Sequence, residues 1–576
     1  MSFVQSTSTP LQKWIDESSS SPGNIFIFSL LGAALSLVVT GFVFGTCNNL
    51  FHLPIVGRMY DEPQFAQDSF IQSLRYFASG VWLLLRGTDR FISPYWLFLG
   101  AAYVSRIIAF AGFLSCADLL GIKTQKQMAL FSLLLAFSAL LQGSSYAGGG
   151  GLFIKYFTHS EIANGFSLLS LSFIIRNRFV AAHAMNGITF FVNAFVAVWN
   201  ALPLLLLTCC RYFAEKANLK KIVFQSLLGS AVFLVLAAPV IYNIVSSPAF
   251  GAKLTFNYVS YLKEYWPYHF LISTIPLKEI LKAVLIIAIA FLSFHKLGAS
   301  AKPFNIALSG YIIVYLMGAC VPFLTHSPTI LNLHLLRVST FFHLLAALGA
   351  TTLAVRWFED MDPYVSKLTA PAFAVLLCLP KLVLLAPLFF IVVSLPYTRR
   401  LTFTFAMRNR AYLISGLVTL LLAALSYSQW RSHRWNTDIS KQIEEFFSLG
   451  AWAKSHTPQD AIFLMLTTDI RPSDSAVTKP DEEPPKYDNT IFEYASHRRV
   501  WVDYKRGAAI MWYPPYYEVW HTRIEQVLAL KSMDEKMSYA SKNSIGYVVD
   551  YCQGHPSYAP LYTGRNICLY SVKAAD

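Results

Sequence analysis

The sequence predicts a polytopic α-helical membrane protein of about 11–13 spans, followed by a C-terminal water-soluble α/β domain. Three observations carry that prediction. Hydrophobic residues make up 55% of the 576 and charged residues only 14%, against about 25% charged in an ordinary soluble chain. Through 24–430 the charges fall in short clusters separated by long apolar runs. From Arg431 onward the composition is that of a soluble protein, which sets the domain organisation: an N-terminal cytoplasmic tail (1–23), a membrane domain (24–430) and an extracytoplasmic domain (431–576).

The net charge of +14 does not point to nucleic acid, because phosphate contact needs a concentrated basic surface. Here the basic clusters alternate with apolar runs, as the positive-inside rule requires of a chain whose partner is a lipid bilayer. The first apolar run, 24–46, is a full span in length and has no small-residue cleavage site after it, so it reads as retained. Further runs follow at 95–120, 128–141, 162–175, 179–207, 222–245, 277–294, 304–324, 331–355, 370–395 and 412–427. Two of them carry breakers near the middle, Asn193 in one and Pro380 with Lys381 in the other. Each reads either as one span or as a bent hairpin. Within the polar stretch after the first span, 70–86 mixes aromatic and aliphatic residues with Arg75 and Arg86, which predicts a helix lying along the membrane interface.

One series of basic loops contains Lys123, Lys126, Arg176, Arg178, Arg211, Lys216, Lys220 and Lys221. It continues through Lys296, Lys302, Arg356, Lys367, Arg399, Arg400, Arg408 and Arg410. Placing it in the cytoplasm puts the first outer loop (47–94), 142–160, 246–276, 325–329 and the terminal domain outside, provided both ambiguous segments are hairpins. In the terminal domain, 439–455 and 517–530 read as helices and 461–466, 499–504, 545–551 and 567–572 as strands. The segment 468–488, rich in Pro, Asp, Ser and Lys, reads as a mobile loop. Of eight cysteines, six lie in or beside apolar segments without metal-ligand spacing and read as small apolar packers. Cys552 and Cys568 share the terminal domain and could pair if it lies outside the cytoplasm.

Chemistry-bearing residues cluster in three places. The first outer loop carries Asn49, His52, Pro54, Arg58, Asp61, Glu62 and Asp68. A carboxylate at the rim of a membrane cavity can act as general base on an acceptor hydroxyl, or hold a divalent metal against a phosphate leaving group. It can equally solvate the turn at Pro63. The second cluster, Lys263 to Phe270 with His269, could line a sugar- and phosphate-binding wall or form an interfacial aromatic belt. The third is Arg337, which opens a late apolar run near His326 and His334; Arg106 and Asp118 lie within another run. Ionisable groups at membrane depth line functional cavities or pair with each other, and Arg337 can equally snorkel to the interface. The run Gly148 to Gly151 is not followed by a Lys-Ser/Thr pair, so it is no phosphate loop and reads as a flexible outer loop.

These residues resemble the GT-C superfamily of membrane glycosyltransferases, and within it a bacterial branch. His52, Pro54, Asp61, Phe65 and Asp68 fall on that branch's first-loop pattern, with Glu62 inserted before Pro63. Pro267-Tyr268-His269 matches a later Pro-His-His element with Tyr268 in place of its first histidine. Arg337-Val338-Ser339-Thr340 matches the start of a late span, and Thr457-Pro458, Asp460-Ala461, Phe463 and Val502 to Lys505 match the outer domain.

The resemblance implies an inverting glycosyltransferase at the outer face of the inner (plasma) membrane, using a polyprenyl-phosphate-sugar donor and a glycan, lipid or protein acceptor. Asp61 or Glu62 would supply the catalytic carboxylate, Asp68 and His52 would position the acceptor or a divalent metal, and Arg337, His269 and Lys263 would hold the donor phosphate. Two alternatives stand beside it. One is a polysaccharide polymerase or ligase using a diphosphate-linked donor. The other is a non-catalytic lipid-linked-glycan transporter or scaffold, which the lack of an internal repeat disfavours.

Overall fold

The structure, a computed structural model, describes residues 21–214, 219–362, 364–380, 382–395, 437–467, 489–552 and 557–572. The expected span at 412–427, the loop at 468–488, Lys216, Lys381 and the basic residues from Arg399 to Arg410 lie outside the described residues. Among those described, seven helices are long and apolar enough to cross a membrane: Pro22–Thr40, Pro94–Leu119, Ala194–Phe213, Leu219–Val245, Leu277–Leu297, Ala299–Leu324 and Pro328–Phe358. Shorter apolar helices (Gln125–Phe137, His159–Ile175, Phe179–Val192, Val365–Cys378 and Val383–Ser394) fill the spaces between them. The chain is therefore a polytopic helical bundle that ends in a small α/β domain.

Both ambiguous segments fold back on themselves. At Asn193 the backbone leaves the helix (φ −152°, ψ 106°), and the side-chain oxygen accepts from Phe195 N at 3.1 Å, capping the next helix. The two arms then touch: Asn200 Nδ2 donates to Asn186 Oδ1 at 3.0 Å and Asn186 Nδ2 to Ala197 O at 3.3 Å. In the second segment Phe373 packs against Phe389 and Phe390 with ring centroids 5.5 and 5.0 Å apart.

These returns sort the loops to two ends of the bundle. At one end the basic loops meet: Asp118 pairs with Lys123 at 2.6 Å and Arg176 at 2.8 Å, and Arg211 donates to Ile175 O at 3.3 Å. At the other end the first loop, the glycine loop, the Asn193 bend and the segment before Ser339 gather under the terminal domain. The helix Ser339–Phe358 is buried on every side through Val355, making it the bundle's axis. Its His343 is a satisfied core residue, with Nδ1 2.9 Å from Leu140 O and Nε2 accepting from Tyr146 N at 3.2 Å. Arg106 forms a buried ion pair with Glu161 and donates to Ile154 O at 2.8 Å, so a charge inside the bundle is paired and props up a loop.

The expected interfacial helix over 70–86 is not continuous. It breaks into Ser69–Ser73, a 3₁₀ turn at Leu74–Tyr76 and Gly80–Leu85. Packing onto the Asn193 hairpin overrides the local pattern. Ser79 Oγ donates to Val192 O at 2.7 Å, and a Cβ at Gly80 would collide with the Phe191 ring. Arg75 turns back to Tyr60 O at 2.6 Å instead of facing a membrane surface.

The terminal domain holds a five-stranded sheet of β1 (Ile462–Leu464), β2 (Arg499–Val500), β3 (Tyr547–Tyr551), β4 (Tyr562–Thr563) and β5 (Ile567–Ser571), in the order β2-β1-β3-β5-β4. β1 is parallel to β2 and β3, while β3-β5-β4 runs antiparallel. Strand β4 and the helices Thr490–Ser496 and Met533–Lys542 add to the expected elements, and Cys552 is disulfide-bonded to Cys568. The domain docks on the helix Tyr258–Tyr265 through Tyr261 Oη to Gly507 O (2.8 Å) and on the bundle through Asn332 Nδ2 to Met511 O (2.7 Å).

Candidate active site

A cavity of ≈ 200 Å³ lies where the outer-end loops meet the terminal domain. Its first wall is the helix Asn49–Val56, whose eight residues are all buried. His52 stacks on Trp82 with centroids 3.9 Å apart and 14° between planes, and Phe51 and Phe77 meet Trp512 edge-on at 5.4 and 5.1 Å. His52 Nδ1 has no hydrogen-bond partner although the residue is 1% exposed. Burial first, and then the His159 ring, hold its pKa well below the usual histidine range, so His52 is neutral at physiological pH.

The second wall is the glycine loop, which is tied down by hydrogen bonds. Ser145 N donates to Gly150 O at 2.8 Å, Gly150 N donates to Ser145 Oγ at 2.9 Å, and Ser145 Oγ lies 2.8 Å from Ser339 Oγ. A Cβ at Gly148 would collide with Leu336 O and one at Gly150 with Thr340 Oγ1, so these glycines serve close approach to the Leu335–Val338 turn. The loop's carbonyls in turn hold two basic side chains: Arg337 Nη2 is 3.4 Å from Gly149 O and His269 Nδ1 is 3.2 Å from Gly148 O. Gly148→Ala is expected to push the Arg337 turn away, destabilising the protein by about 1–3 kcal/mol. Thermal unfolding in detergent measures that loss, and an unchanged midpoint would mean the contact is soft.

The third wall comes from the terminal domain. The turn Lys505–Met511 brings Lys505, Ala508 and Met511 to the cavity, with Lys505 Nζ 5.6 Å from the Trp266 ring centroid. His334, in a left-handed conformation (φ 51°), is buried there with Nδ1 unpartnered, its ring 4.4 Å from Phe270. Arg337, Lys505 and four histidines thus come from segments far apart in the chain, and no Asp or Glu is among the described residues lining the cavity.

Of the residues expected to form the site, His52, His269 and Arg337 line this cavity, whereas Asp61, Glu62, Asp68 and Lys263 do not. Asp61 is held by Arg58 at 2.6 Å and Arg75 at 2.9 Å. Glu62 binds His497 Nδ1 at 2.9 Å and Gln64 Nε2 at 2.6 Å, tying the first loop to the terminal domain. Asp68 caps the helix Ser69–Ser73 through Ile71 N at 3.0 Å and faces Arg506 at 3.8 Å. Lys263 is exposed on the docking helix. Among the described residues no three His, Cys, Asp or Glu side chains are gathered as metal ligands, and Asp68, expected with His52 to position the acceptor or a divalent metal, is taken up by protein partners as are Asp61 and Glu62. The residues do not fit such an ion, and no step is drawn through one. Sequence reasoning missed His159, Lys505 and the packing role of the glycines. Lys505 ends the Val502 to Lys505 run and Trp512 is one of four clustered aromatics, but nothing local aims either at a membrane loop.

No family model matches the chain, and no curated protein matches it. Among solved structures it is similar to the crystal structure of ArnT from Cupriavidus metallidurans bound to undecaprenyl phosphate. That match has 12% identity, covers 96% of this chain and 99% of that chain, and has a TM-score of 0.41. A score that low gives the likeness no weight in assigning function.

Proposed function

We propose that the protein is a membrane glycosyltransferase that takes its sugar from a polyprenyl-phosphate donor, with the donor phosphate seated against Arg337, Lys505 and His269. The observation that carries this reading is the meeting of those three side chains in one aromatic-walled cavity, at the junction of an apolar bundle and a water-soluble domain. A lipid-linked phosphate needs both an apolar route for its tail and cations at the end of that route. Arginine's planar fork suits two phosphate oxygens at once. Arg337 and Lys505 stabilise the negative charge that builds on the phosphate as its bond to the sugar breaks.

The acceptor hydroxyl needs a base, and His269 is the proposed one. Its Nδ1–H donates to Gly148 O, which leaves Nε2 as the basic nitrogen of the neutral ring. Asp61 acts at one remove: it clamps Arg75, two residues before Phe77 on the aromatic wall. Glu62 and Asp68 act by docking the terminal domain that supplies Lys505 and Trp512. The acceptor (glycan, lipid or protein) would enter from the outer face of the plasma membrane. The disulfide in the terminal domain supports that side, because such bonds persist outside the cytosol, and the basic loops at the opposite end support it through the positive-inside rule.

Vesicles holding the purified protein, supplied with undecaprenyl phosphate bearing a radiolabelled sugar, test the reading. Covalent label on an acceptor is expected; label that crosses the bilayer unchanged would make the protein a transporter instead. In the same assay Asp61→Asn is expected to lower transfer about tenfold through the loosened wall. Its stability should fall by less than about 1 kcal/mol, since the ion pair is part-exposed. Wild-type transfer by that variant would leave Asp61 as a surface pair with no part in the reaction.

A further inference from the structure

One buried contact beside the cavity has no part in the reading above. Trp82 is 1% exposed, and its Nε1–H donates to His159 Nδ1 at 3.0 Å. The indole is held from both sides, by the His52 stack and by Phe157, whose ring centroid is 5.6 Å away. An indole nitrogen only donates, so His159 Nδ1 must accept, and a neutral imidazole that accepts at Nδ1 carries its proton on Nε2. His159 itself is only half-buried and lines the cavity together with Arg337. Burial first, and the Arg337 charge second, lower the His159 pKa, so the ring is a neutral donor, not a further cation.

We propose that His159 contacts the donor directly, its Nε2–H giving a hydrogen bond to a phosphate oxygen beside Arg337, and that Trp82 is the positioning residue that fixes this tautomer. The inference rests on the reading of the cavity as the donor-phosphate site. A neutral donor there adds direction without adding charge: it selects the orientation of the phosphate while leaving the strength of the anion's grip to Arg337 and Lys505.

Binding of undecaprenyl phosphate to the full-length protein in detergent micelles, with thermal unfolding as the control for folding, separates the possibilities. His159→Ala is expected to weaken binding about tenfold or more, as for a lost hydrogen bond to a charged group. His159→Gln, whose amide donates but takes up no proton, should stay within about threefold of wild type. Trp82→Phe, which keeps the ring and removes the N–H, should weaken binding in the wild-type background. Because His159 is half-buried, its two variants carry the test even where the Trp82 variant folds poorly. A Gln variant as weak as the Ala variant would overturn the neutral-donor role, and so would an Ala variant that binds like wild type. Undiminished binding by Arg337→Ala would instead overturn the phosphate-site reading, and this inference with it.

Discussion

Arg337→Ala is expected to lower sugar transfer by about 10²–10³-fold while leaving the fold intact. Arg337 sits in the short turn Leu335–Val338, and its guanidinium is carried by a loop carbonyl at 3.4 Å, so it is aimed before any ligand arrives. The protein has therefore already met the ordering cost that a flexible surface arginine would add to binding. Arg337→Lys keeps the charge but loses the planar fork, and it should recover only part of the rate. The informative readout is the pair of numbers, transfer rate and affinity for undecaprenyl phosphate. A group that meets charge developing in the transition state loses turnover at saturating donor, whereas one that only grips the resting phosphate loses affinity and keeps that turnover. Full transfer by Arg337→Ala would place the phosphate elsewhere.

Arg337's place on the cavity was one of the outcomes open in the sequence: a charge at the head of an apolar run lines a cavity, finds a partner or snorkels to the interface, and here it lines the cavity. The seven long spans among the described residues were legible because length and hydropathy set them almost alone. The hairpins were legible only as one of two alternatives, since Asn193 interrupts the run in sequence but fixes the bend only once its amide reaches Ser160 Oγ at 3.0 Å, in a separate helix. The glycine loop was misread for the same cause. Glycine in a run suggests freedom, and only the nearness of Leu336 O turns it into a demand for close packing. The acidic loop residues were the reverse case. Their types and spacing suit catalysis, but Asp61 is engaged by Arg58 and Arg75 of its own loop, and Glu62 and Asp68 by His497 and Arg506 of the terminal domain. Lys505 and Trp512 complete the cavity from that same domain, so that wall of the site could be seen only once the two parts were docked.

That docking turns on Arg506, and its replacement by alanine should have the largest effect on stability. Arg506 is 1% exposed. Its Nη2 lies 2.6 Å from Glu493 Oε1, its Nη1 donates to Val500 O at 3.0 Å and faces Asp68 at 3.8 Å, and the guanidinium lies over the Phe70 ring at 4.6 Å. One guanidinium thus neutralises a carboxylate from the first loop and another from the terminal domain. Breaking such a buried set costs about 3–5 kcal/mol, because the carboxylates left behind keep only single backbone N–H partners and no opposite charge. The turn carrying Lys505 and Met511 starts beside it, so transfer should fall together with stability. The loss should also depend on pH in a definite direction. Burial raises the Glu493 carboxyl to about 7 even with Arg506 opposing it. An unfolded glutamate titrates near about 4.3, so between these values the folded chain binds more protons than the unfolded one. The stabilisation from this group is therefore complete at low pH and is lost as pH rises through about 7. Without Arg506 only the Val500 N–H still opposes the rise, and the loss continues to higher pH. Denaturant unfolding of the variant and the wild type at pH 6 and pH 8 should accordingly show the larger gap at pH 8. Equal gaps would mean that Glu493 is not the charge Arg506 neutralises, and that its place at the joint is one of shape alone.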